Sequence, residues 1–430
     1  MQQILGKLYQ LQRCGIKPGL ERISALLERL GNPHHALGTV FHIAGTNGKG
    51  TVASVLASIL KEAGETVGLY TSPHIRRFNE RIRIDGKPIS DAEIVELYDR
   101  VKTIAEECGA TFFETTTAMA FLAFHERTTV TVLECGLGGR FDATNVVQSP
   151  IAIITSIDYD HQEWLGSTLE AIAGEKAGII KSATNVIIGE VRDELRHIFC
   201  KRAADVHVRS ITFLNDLRWQ YQLRDHTVEG MYLDLMVGEH AFKNLFVPLH
   251  GDHQVRNLAI VIAALDRYWG GVITPKCWNA IELGIANVYR NSGLQARIAV
   301  VQRDPLLVLD VAHNPAGCRA LVNVLSKPPF PTRWNIVFGV MRDKDYDAMI
   351  EALSTIAEQF YISAPKSERA CDPQELTNRV RNRTSTAYTF PTIGDALKAA
   401  LSEGKPTVCV GSFFVIEEAL EFLDNTATHA

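Results

Sequence analysis

The sequence contains few cysteines and none of the spacings that cysteine-based scaffolds use. Its 430 residues include eight cysteines, with no C-x-x-C pair among them. Small secreted scaffolds stapled by disulfides need a much denser set. We therefore expect reduced, mostly buried thiols in a cytosolic protein. The cysteines are Cys14, Cys108, Cys135, Cys200, Cys277, Cys318, Cys371 and Cys409.

Long apolar runs and dense basic clusters are also missing. No uninterrupted apolar run approaches the roughly 18 residues that a membrane span needs. Residues 1–7 lack the basic region and apolar stretch typical of an export signal. The net charge is −5, and no Lys/Arg cluster is dense enough to favour a phosphodiester backbone. We therefore expect a cytoplasmic protein acting on small molecules, with no nucleic-acid or membrane partner.

The composition that remains is that of a globular protein with more than one core. A hydrophobic share of 46% and a charged share of 22% are ordinary values. Single cores stop growing at about 250 to 300 residues, so two domains are expected. Residues 289–293 are polar and turn-forming. We place the boundary there, which gives domains of residues 1–292 and 293–430.

The apolar pattern predicts strands that alternate with helices. The runs carry no polar alternation, so strands covered on both faces of a parallel sheet are indicated. Residues 213–246 alternate more and predict a small antiparallel addition, while Ser90 with Glu93 and Ser167 with Glu170 predict two capped helix starts. The expected fold is α/β: a P-loop-containing mononucleotide-binding domain with a mostly parallel sheet, followed by a smaller Rossmann-like α/β domain. The predicted strands are residues 40–44, 67–70, 130–133, 151–154, 186–188, 306–309, 336–338, 360–362 and 408–410.

The strongest local signal is a glycine-rich turn between a predicted strand and a predicted helix. Phosphate binding needs backbone N–H groups free to point inward, a helix N-terminus, a lysine charge and a hydroxyl for a metal ion. All four are present, although Ile43 takes the first glycine position of the strict P-loop pattern. We predict a phosphate-binding loop; the alternative is a glycine-rich turn without a ligand. The loop residues are Gly45, Thr46, Asn47, Gly48, Lys49, Gly50 and Thr51.

Polar residues follow several of the other predicted strands. Ser72, Glu134 and His161 each come just past a strand end. Open α/β sheets bind ligands at that edge, and oxygen and imidazole ligands suit Mg²⁺ or Mn²⁺ bridging a protein to a phosphate. Each residue alone is equally typical of a structural or solvated strand end. Their shared placement predicts a metal site near the phosphates.

Lys176 lies on the apolar side of a predicted helix, with Leu169, Ile172 and Ala173 at helical spacing. A buried ammonium group is unfavourable, so its pKa should be depressed. A neutral amine reacts with CO₂ to form a carbamate, an anion that can hold a metal ion. The alternatives are a lysine that snorkels to solvent or pairs with Glu175.

In the second domain, Asp310 ends a predicted strand and His313 follows it, with Asn314 as a predicted N-cap and Pro315 at the first helical position. Ser412 follows a second such strand end. Both segments therefore lie on the predicted ligand edge. Asp310 is predicted either to accept ribose hydroxyls or to serve only the helix macrodipole.

Taken together, the ordered motifs resemble those of the folylpolyglutamate synthases and dihydrofolate synthases of the Mur ligase superfamily. The resemblance runs from Gly19 almost to the C-terminus. It rests on residues 42–52, 71–84, 113–117, 134–145, 160–181, 251–254, 257, 310–315, 338–339 and 343–345.

This resemblance implies roles for individual residues. Lys49, Lys176, Arg297 and His313 are implied as catalytic, with Lys176 carbamylated. Residues 45–51 together with Gln254, Asn257, Arg297 and Asp310 are implied as ATP contacts. Thr51, Ser72, Glu134 and His161 are implied as Mg²⁺ ligands, and His313 and Ser412 as contacts of the incoming glutamate. A monovalent cation is included among the predicted cofactors.

Two departures from the family pattern stand out. Residues 295–297 read Gln-Ala-Arg where the family usually shows Pro-Gly-Arg, so the local turn must be built differently. Thr51 stands where Ser is common, which keeps the hydroxyl.

The resemblance implies an ATP-dependent ligase. A folate or dihydropteroate carboxylate would attack the γ-phosphorus of ATP, and the amine of L-glutamate would then displace phosphate from the acyl phosphate. The first domain would be the ATP-binding domain of the Mur ligase central type, and the second the glutamate-ligase domain. Residues 291–296 would act as a hinge in a monomeric enzyme.

Two other functions are alternatives. One is a Mur-type ligase acting on another carboxylate, which residues 71–84 disfavour. The other is a nucleotide-binding regulator without ligase chemistry, which would not need Ser72, Glu134, His161 and Lys176 together.

Overall fold

The computed structural model describes residues 2–12, 17–383 and 386–427. Cys14 lies outside these residues. The chain divides into two compact units. The first comprises residues 1–221, 235–243 and 255–294, and the second comprises residues 222–234, 244–254 and 295–430.

The first unit is built on a mostly parallel sheet. Its strands are β1 (Thr39–Ala44), β2 (Val67–Tyr70), β3 (Ile82–Ile84), β4 (Lys87–Pro88), β5 (Val130–Glu134), β6 (Ile151–Ile154), β7 (Asn185–Ile188) and β8 (Ser210–Phe213). In the described part of the chain their order is β4-β3-β2-β5-β1-β6-β7-β8. Only the β2–β3 and β3–β4 pairs among these are antiparallel. The chain winds to one side of β1 and then, from β6 onward, to the other, so the switch point of the sheet lies at β1.

Helices cover this sheet or extend from it. They are α1 (Gln2–Gln12), α2 (Glu21–Arg29), α3 (Lys49–Glu62), α4 (Asp91–Glu107), α5 (Phe112–Phe124), α6 (Gln162–Leu165), α7 (Leu169–Lys176), α8 (Arg196–Val206), α9 (Asp252–Tyr268), α10 (Pro275–Ala286) and α11 (Val288–Ser292). The central strands are buried almost throughout because helices pack on both faces. This explains why the strands read as continuous apolar runs.

A small sheet follows β8 in sequence. Its strands are β9 (Trp219–Thr227), β10 (Gly230–Val237) and β11 (His240–Val247), in the order β11-β10-β9. Connections this short join only antiparallel strands. The predicted antiparallel addition is confirmed.

The second unit contains another mixed sheet. Its strands are β12 (Ala299–Arg303), β13 (Leu306–Asp310), β14 (Trp334–Phe338), β15 (Ala357–Ile362), β16 (Ala387–Thr389) and β17 (Thr407–Val410). Within the described residues they are ordered β12-β13-β17-β14-β15-β16, with β12 antiparallel to β13 and the remaining pairs parallel. The helices are α12 (Pro315–Leu325), α13 (Tyr346–Ser354), α14 (Pro373–Arg381), α15 (Ile393–Ser402) and α16 (Phe413–Ala427). The predicted α/β fold class is confirmed.

Two local predictions were wrong. The cap of α7 is Thr168 and not Ser167, and its side chain accepts from the Ala171 N–H, so Glu170 is one position too early to complete a capping box. Residues 289–292, read as a turn, belong to α11 and end at Gly293 in the left-handed region. Asn291 is buried and donates to Glu62 at 2.7 Å, which compensates for its polarity. The domain boundary at 292/293 stays a prediction.

The cysteines in the described residues are free thiols. Cys135, Cys318, Cys371 and Cys409 are buried, Cys108 and Cys277 are half-buried and Cys200 is exposed. Burial raises the pKa of the Cys135 thiol, so this cysteine stays protonated. Among the described helices, none combines the length and the apolar composition needed to cross a membrane.

Candidate active site

The predicted phosphate loop lies at the switch point of the first sheet. It leaves β1 at Gly45, which has φ +147°, and enters α3 through Gly48, which has φ +89°. A Cβ atom on Gly45 would lie 1.9 Å from Thr155 Oγ1. Only glycine therefore permits this close approach of the loop to the end of β6.

Residues after β6 hold the loop, and the sequence reasoning missed them. Thr155 Oγ1 donates to the Asn47 carbonyl at 2.7 Å, and the Asn47 N–H donates to Ser156 Oγ at 3.2 Å. The Asp158 N–H donates to Thr46 Oγ1 at 3.0 Å. The sequence does show that these residues follow a predicted strand. That this strand, β6, pairs with β1 is known only from the strand order of the folded sheet. These contacts fix the loop backbone before any ligand binds.

Two lysines meet at one carbonyl oxygen of the loop. Lys49 Nζ donates to the carbonyls of Gly45 at 3.0 Å and Thr46 at 3.2 Å. Lys176 Nζ, from the last residue of α7, also donates to the Gly45 carbonyl at 3.0 Å. The structure thus brings Lys49 and Lys176 together at the start of the loop.

Lys176 is buried, with 3% of its surface exposed. Burial, followed by the charge of Lys49, lowers the pKa of Lys176 to about 7. Glu175 pairs instead with Arg140 at 3.0 Å. The two alternatives, a snorkelling lysine and a pair with Glu175, are therefore wrong, and the predicted depressed pKa is confirmed.

Ser72 and Glu134 come together because β2 and β5 are parallel neighbours whose ends coincide. The Ser72 N–H donates to Glu134 Oε2 at 3.1 Å. Thr51 is buried in the first turn of α3. The structure thus places a carboxylate and a hydroxyl-bearing residue at the edge that carries the loop.

His161 occupies the entry to α6 with φ +51°, and its Nε2 lies 3.8 Å from Asp160 Oδ1. The Asp158 N–H, three residues earlier, donates to Thr46 Oγ1, so this segment begins beside the loop. In the described part of the chain, no cluster of three or more His, Cys, Asp or Glu side chains is arranged for a metal ion. A metal site here therefore depends on hydroxyl, carbamate or substrate oxygens as well.

Asp142 is a supporting residue that the sequence reasoning did not single out. Its carboxylate accepts from the N–H groups of Leu137 at 2.8 Å and Thr144 at 3.0 Å. These bonds fold the segment after Glu134 so that Gly139 packs on Lys176, where a Cβ atom would come within 3.0 Å of Lys176 Cα. Asp142 thereby connects the position of Glu134 with that of Lys176.

Of the two predicted nucleotide residues on α9, Asn257 lies against the phosphate loop. A Cβ atom on Gly48 would lie 2.8 Å from Asn257 Oδ1. Gln254 is buried one turn earlier on the same helix. Their roles as ATP contacts stay predictions.

The second unit gathers Arg297, Asp310 and His313 at one edge of its sheet, because Arg297 precedes β12 and Asp310 ends the antiparallel strand β13. Asp310 Oδ2 accepts from the Ile298 N–H and Oδ1 from the Ala312 N–H, both at 2.8 Å. Burial raises the pKa of Asp310, and the Arg297 charge opposes that shift. Asp310 therefore fixes the backbone beside Arg297 and beside His313. Asn314 caps α12 as predicted, accepting from the Gly317 N–H at 2.8 Å.

The turn around Arg297 places two residues other than glycine in the left-handed region. Ala296 has φ +49° and Ile298 has φ +54°, values that cost an L-residue roughly 1–2 kcal/mol each. The Val311 N–H donates to the Ala296 carbonyl at 3.2 Å, and Asp310 holds Ile298. Hydrogen bonds therefore retain a conformation that glycine would adopt without strain.

Replacing Ala296 by glycine tests this strain. Ala299, in β12, serves as the matched control, because a strand glycine is destabilising by roughly 0.5–1 kcal/mol. We expect the Ala296→Gly variant to have a free energy of unfolding that is higher than that of the Ala299→Gly variant by about 1 kcal/mol or more. The difference arises because glycine at position 296 releases the backbone strain. Urea denaturation midpoints at unchanged m value measure the difference. Equal losses in both variants would contradict the strain.

Family models match both halves of the chain. Residues 43–265 match the Mur ligase middle domain, and residues 296–412 match the Mur ligase glutamate ligase domain. The chain is 36% identical over 381 residues to the dihydrofolate synthase/folylpolyglutamate synthase of Bacillus subtilis, covering 85% of this chain and 87% of that protein.

Solved structures resemble the whole chain. The structure of E. coli FolC in complex with DHPP and ADP has a TM-score of 0.86 and 31% identity, covering 99% of this chain and 98% of that one. A bifunctional folylpolyglutamate synthase/dihydrofolate synthase with Mn, AMPPNP and L-glutamate bound has a TM-score of 0.84 and 30% identity, covering 98% of both chains.

A phosphate loop at the sheet switch point, followed by a glutamate ligase domain, defines the class of Mur ligases. Within that class, the chain belongs to the dihydrofolate synthase/folylpolyglutamate synthase family. The predicted family and the predicted enzyme class, a ligase, are confirmed.

Proposed function

We propose that this protein is an ATP-dependent ligase that joins the carboxylate of a folate or pteroate to the amino group of L-glutamate through an acyl phosphate. The observation that carries the proposal is the meeting of Lys49 and Lys176 at the Gly45 carbonyl. The Lys49 charge on a glycine-rich loop at a helix N-terminus suits a triphosphate, and Lys176, whose pKa burial lowers to about 7, lies beside it as an amine that can lose its proton. The ADP, AMPPNP, DHPP and glutamate named with the related structures support it.

A divalent metal fits the residues present. The donor set of Thr51, Ser72 and Glu134 supplies hard oxygen ligands, and His161 adds an imidazole, which is the chemistry that Mg²⁺ and Mn²⁺ accept. Such an ion, when bound, neutralises negative charge on the phosphate oxygens. The monovalent cation stays a prediction.

The chain's own residues would act in two steps. In the first, a carboxylate oxygen of the acceptor bonds to the γ-phosphorus of ATP, the bond to the β–γ bridging oxygen breaks and ADP leaves. Lys49 stabilises the developing charge, because its ammonium group sits at the mouth of the loop. In the second step the glutamate nitrogen bonds to the acyl carbon, phosphate leaves, and the nitrogen releases a proton.

Residues of the second unit are proposed to serve the nucleotide and the amine. Arg297 would stabilise phosphate charge, and His313 and Ser412 would contact the incoming glutamate. Asp310 already accepts two backbone N–H groups, which supports a positioning role beside the proposed ATP contact. We also propose the functional division into residues 1–292 and 293–430.

Ligation assays with defined acceptors test the function. We expect the purified protein with ATP, Mg²⁺ and L-glutamate to consume either dihydropteroate or a folate that already carries glutamate, releasing ADP and phosphate in equal amounts with the amide product. Each acceptor is assayed separately, with D-glutamate as the matched control. Phosphate release at the same rate with and without the acceptor and the amino acid would indicate a nucleotide-binding regulator. Turnover with other carboxylates alone would indicate a different Mur-type ligase.

A further inference from the structure

One aromatic ring contacts two residues of the second unit that were predicted as catalytic, Arg297 and His313. The guanidinium carbon of Arg297 lies 5.7 Å from the centre of the Phe413 ring. The His313 ring centre lies 5.8 Å from the same ring, at an interplanar angle of 49°. These three side chains come from three separate segments of the chain. Phe413 is therefore a common contact of two polar groups whose segments lie about 100 residues before it in the sequence.

The position of Phe413 is fixed from both sides. Gly411 leaves β17 with φ +127°, and a Cβ atom there would lie 2.1 Å from the Gly339 carbonyl oxygen. Ser412 Oγ accepts from the Val415 N–H at 3.2 Å and so caps the first turn of α16. The ring of Phe413 thus starts from a rigid junction between strand and helix.

Backbone carbonyls also hold the Arg297 guanidinium group and the His313 imidazole. Arg297 Nη1 donates to the carbonyls of Gln295 at 3.2 Å and Ala296 at 3.3 Å. His313 Nδ1 lies 2.9 Å from the Val311 carbonyl. Asp310 holds the backbone on each side of this arrangement.

Two attractive interactions with the Phe413 ring restrict the Arg297 and His313 side chains. A guanidinium group within about 6 Å of a ring centre is attracted by the negative face of the ring. A tilted imidazole packs on the same ring as aromatic pairs commonly do. The ring thus limits the rotation of both polar side chains at once.

We propose that Phe413 is a positioning residue for the ligase reaction, whose ring holds the Arg297 guanidinium and the His313 imidazole in place at the ligand edge of the second unit. This inference rests on the proposed function. Phe413 itself takes no part in bond making. It would act by keeping Arg297 and His313 near the geometry of the transition state.

The neighbouring residue provides a matched control. Phe414 is the next residue of α16, and 45% of its surface is exposed. Replacing each phenylalanine by leucine removes the same ring from adjacent positions, and only Phe413 lies on Arg297 and His313. Phe413→Tyr keeps the ring and tests whether the aromatic face is what matters.

The experiment compares kcat and KM of the full-length protein for ATP and L-glutamate in the three variants. We expect Phe413→Leu to lower kcat by about 10- to 100-fold, because small displacements of positioned groups have effects of that size. Phe413→Tyr and Phe414→Leu should stay close to the wild type, with unchanged thermal midpoints in all variants. Wild-type kcat in Phe413→Leu, or an equal loss in Phe413→Tyr or Phe414→Leu, would overturn the proposal.

A second measurement separates this inference from the proposed function. In histidine-labelled protein, the Hε1 resonance of His313, assigned with His313→Gln, should shift in Phe413→Leu because the ring current is lost. It should keep its position in Phe414→Leu. If the wild type ligates no glutamate, the proposed function is wrong while the ring contact is still observed. An unmoved resonance in Phe413→Leu refutes the contact itself, whatever the activity.

Discussion

Replacement of Lys49 by alanine is expected to abolish ATP-dependent ligation, a loss of at least about 1,000-fold in kcat. The physical reason is the place of this ammonium group, which lies on the Gly45 and Thr46 carbonyls at the start of α3. In the Lys49→Ala variant, the loop no longer carries a cation that stabilises the charge developing on the transferred phosphoryl group. Initial rates of ADP release at saturating substrates measure the effect.

The matched control for Lys49 is Lys61, in the last turn of the same helix. Lys61→Ala removes an equivalent charge far along α3 and should keep the wild-type rate. Circular dichroism and the thermal midpoint should be unchanged in both variants, because the Lys49 side chain bonds only to its own loop in the contacts named above. Substantial turnover in Lys49→Ala would remove the basis for placing ATP at this loop.

Replacement of Lys176 by alanine is expected to lower kcat by about 100- to 1,000-fold, with partial recovery in acetate. Lys176 has a pKa of about 7, so roughly half of the side chains are neutral at that pH. A lysine of ordinary pKa would be neutral in only about one molecule in 3,000 at pH 7. The neutral amine is the form that adds CO₂, and acetate would replace the carboxylate of the resulting carbamate.

Because the pKa of Lys176 is lowered, stimulation by bicarbonate should increase with pH. As the pH rises through about 7, Lys176 loses its proton and the carbamate can form. Added bicarbonate should therefore stimulate the wild-type enzyme, and more strongly at pH 8 than at pH 6.

Lys176→Ala should not respond to bicarbonate, and acetate should raise its rate while chloride of equal ionic strength should not. Lys176→Arg is a further control, because it keeps the positive charge but cannot form the carbamate. If neither bicarbonate nor acetate has any effect, Lys176 acts as a buried cation on the Gly45 carbonyl instead.

Much of the fold follows from local sequence because the central strands are buried on both faces. The apolar runs at residues 67–70 and 151–154 coincide with β2 and β6. Edge strands were missed for the opposite reason. In β12 the burial pattern is mixed, and its sequence, AVVQR, carries no continuous apolar signal. β16 is similarly exposed at two of its three residues.

Local errors arose where a tertiary contact decides between two local choices. Adjacent Ser167 and Thr168 are both competent N-caps, and the path of the chain into α7 selects Thr168. Residues 289–292 are polar, yet Asn291 is buried because Glu62, far away in sequence, accepts its hydrogen bond. No window of local sequence contains that partner.

The sequence by itself determined the order of strands, glycine-rich turn and helices, the family, and the residue types that make phosphate chemistry available. These are encoded locally, in periodicity and in the backbone freedom of glycine. Only the tertiary structure decided that Lys176 donates to the Gly45 carbonyl, 131 residues away in sequence, and that Thr155 donates to the Asn47 carbonyl of the loop. It also decided that Phe413 lies between Arg297 and His313. Such pairings depend on which strands become neighbours and which side chains lose water, and both are settled only when the whole sheet has formed.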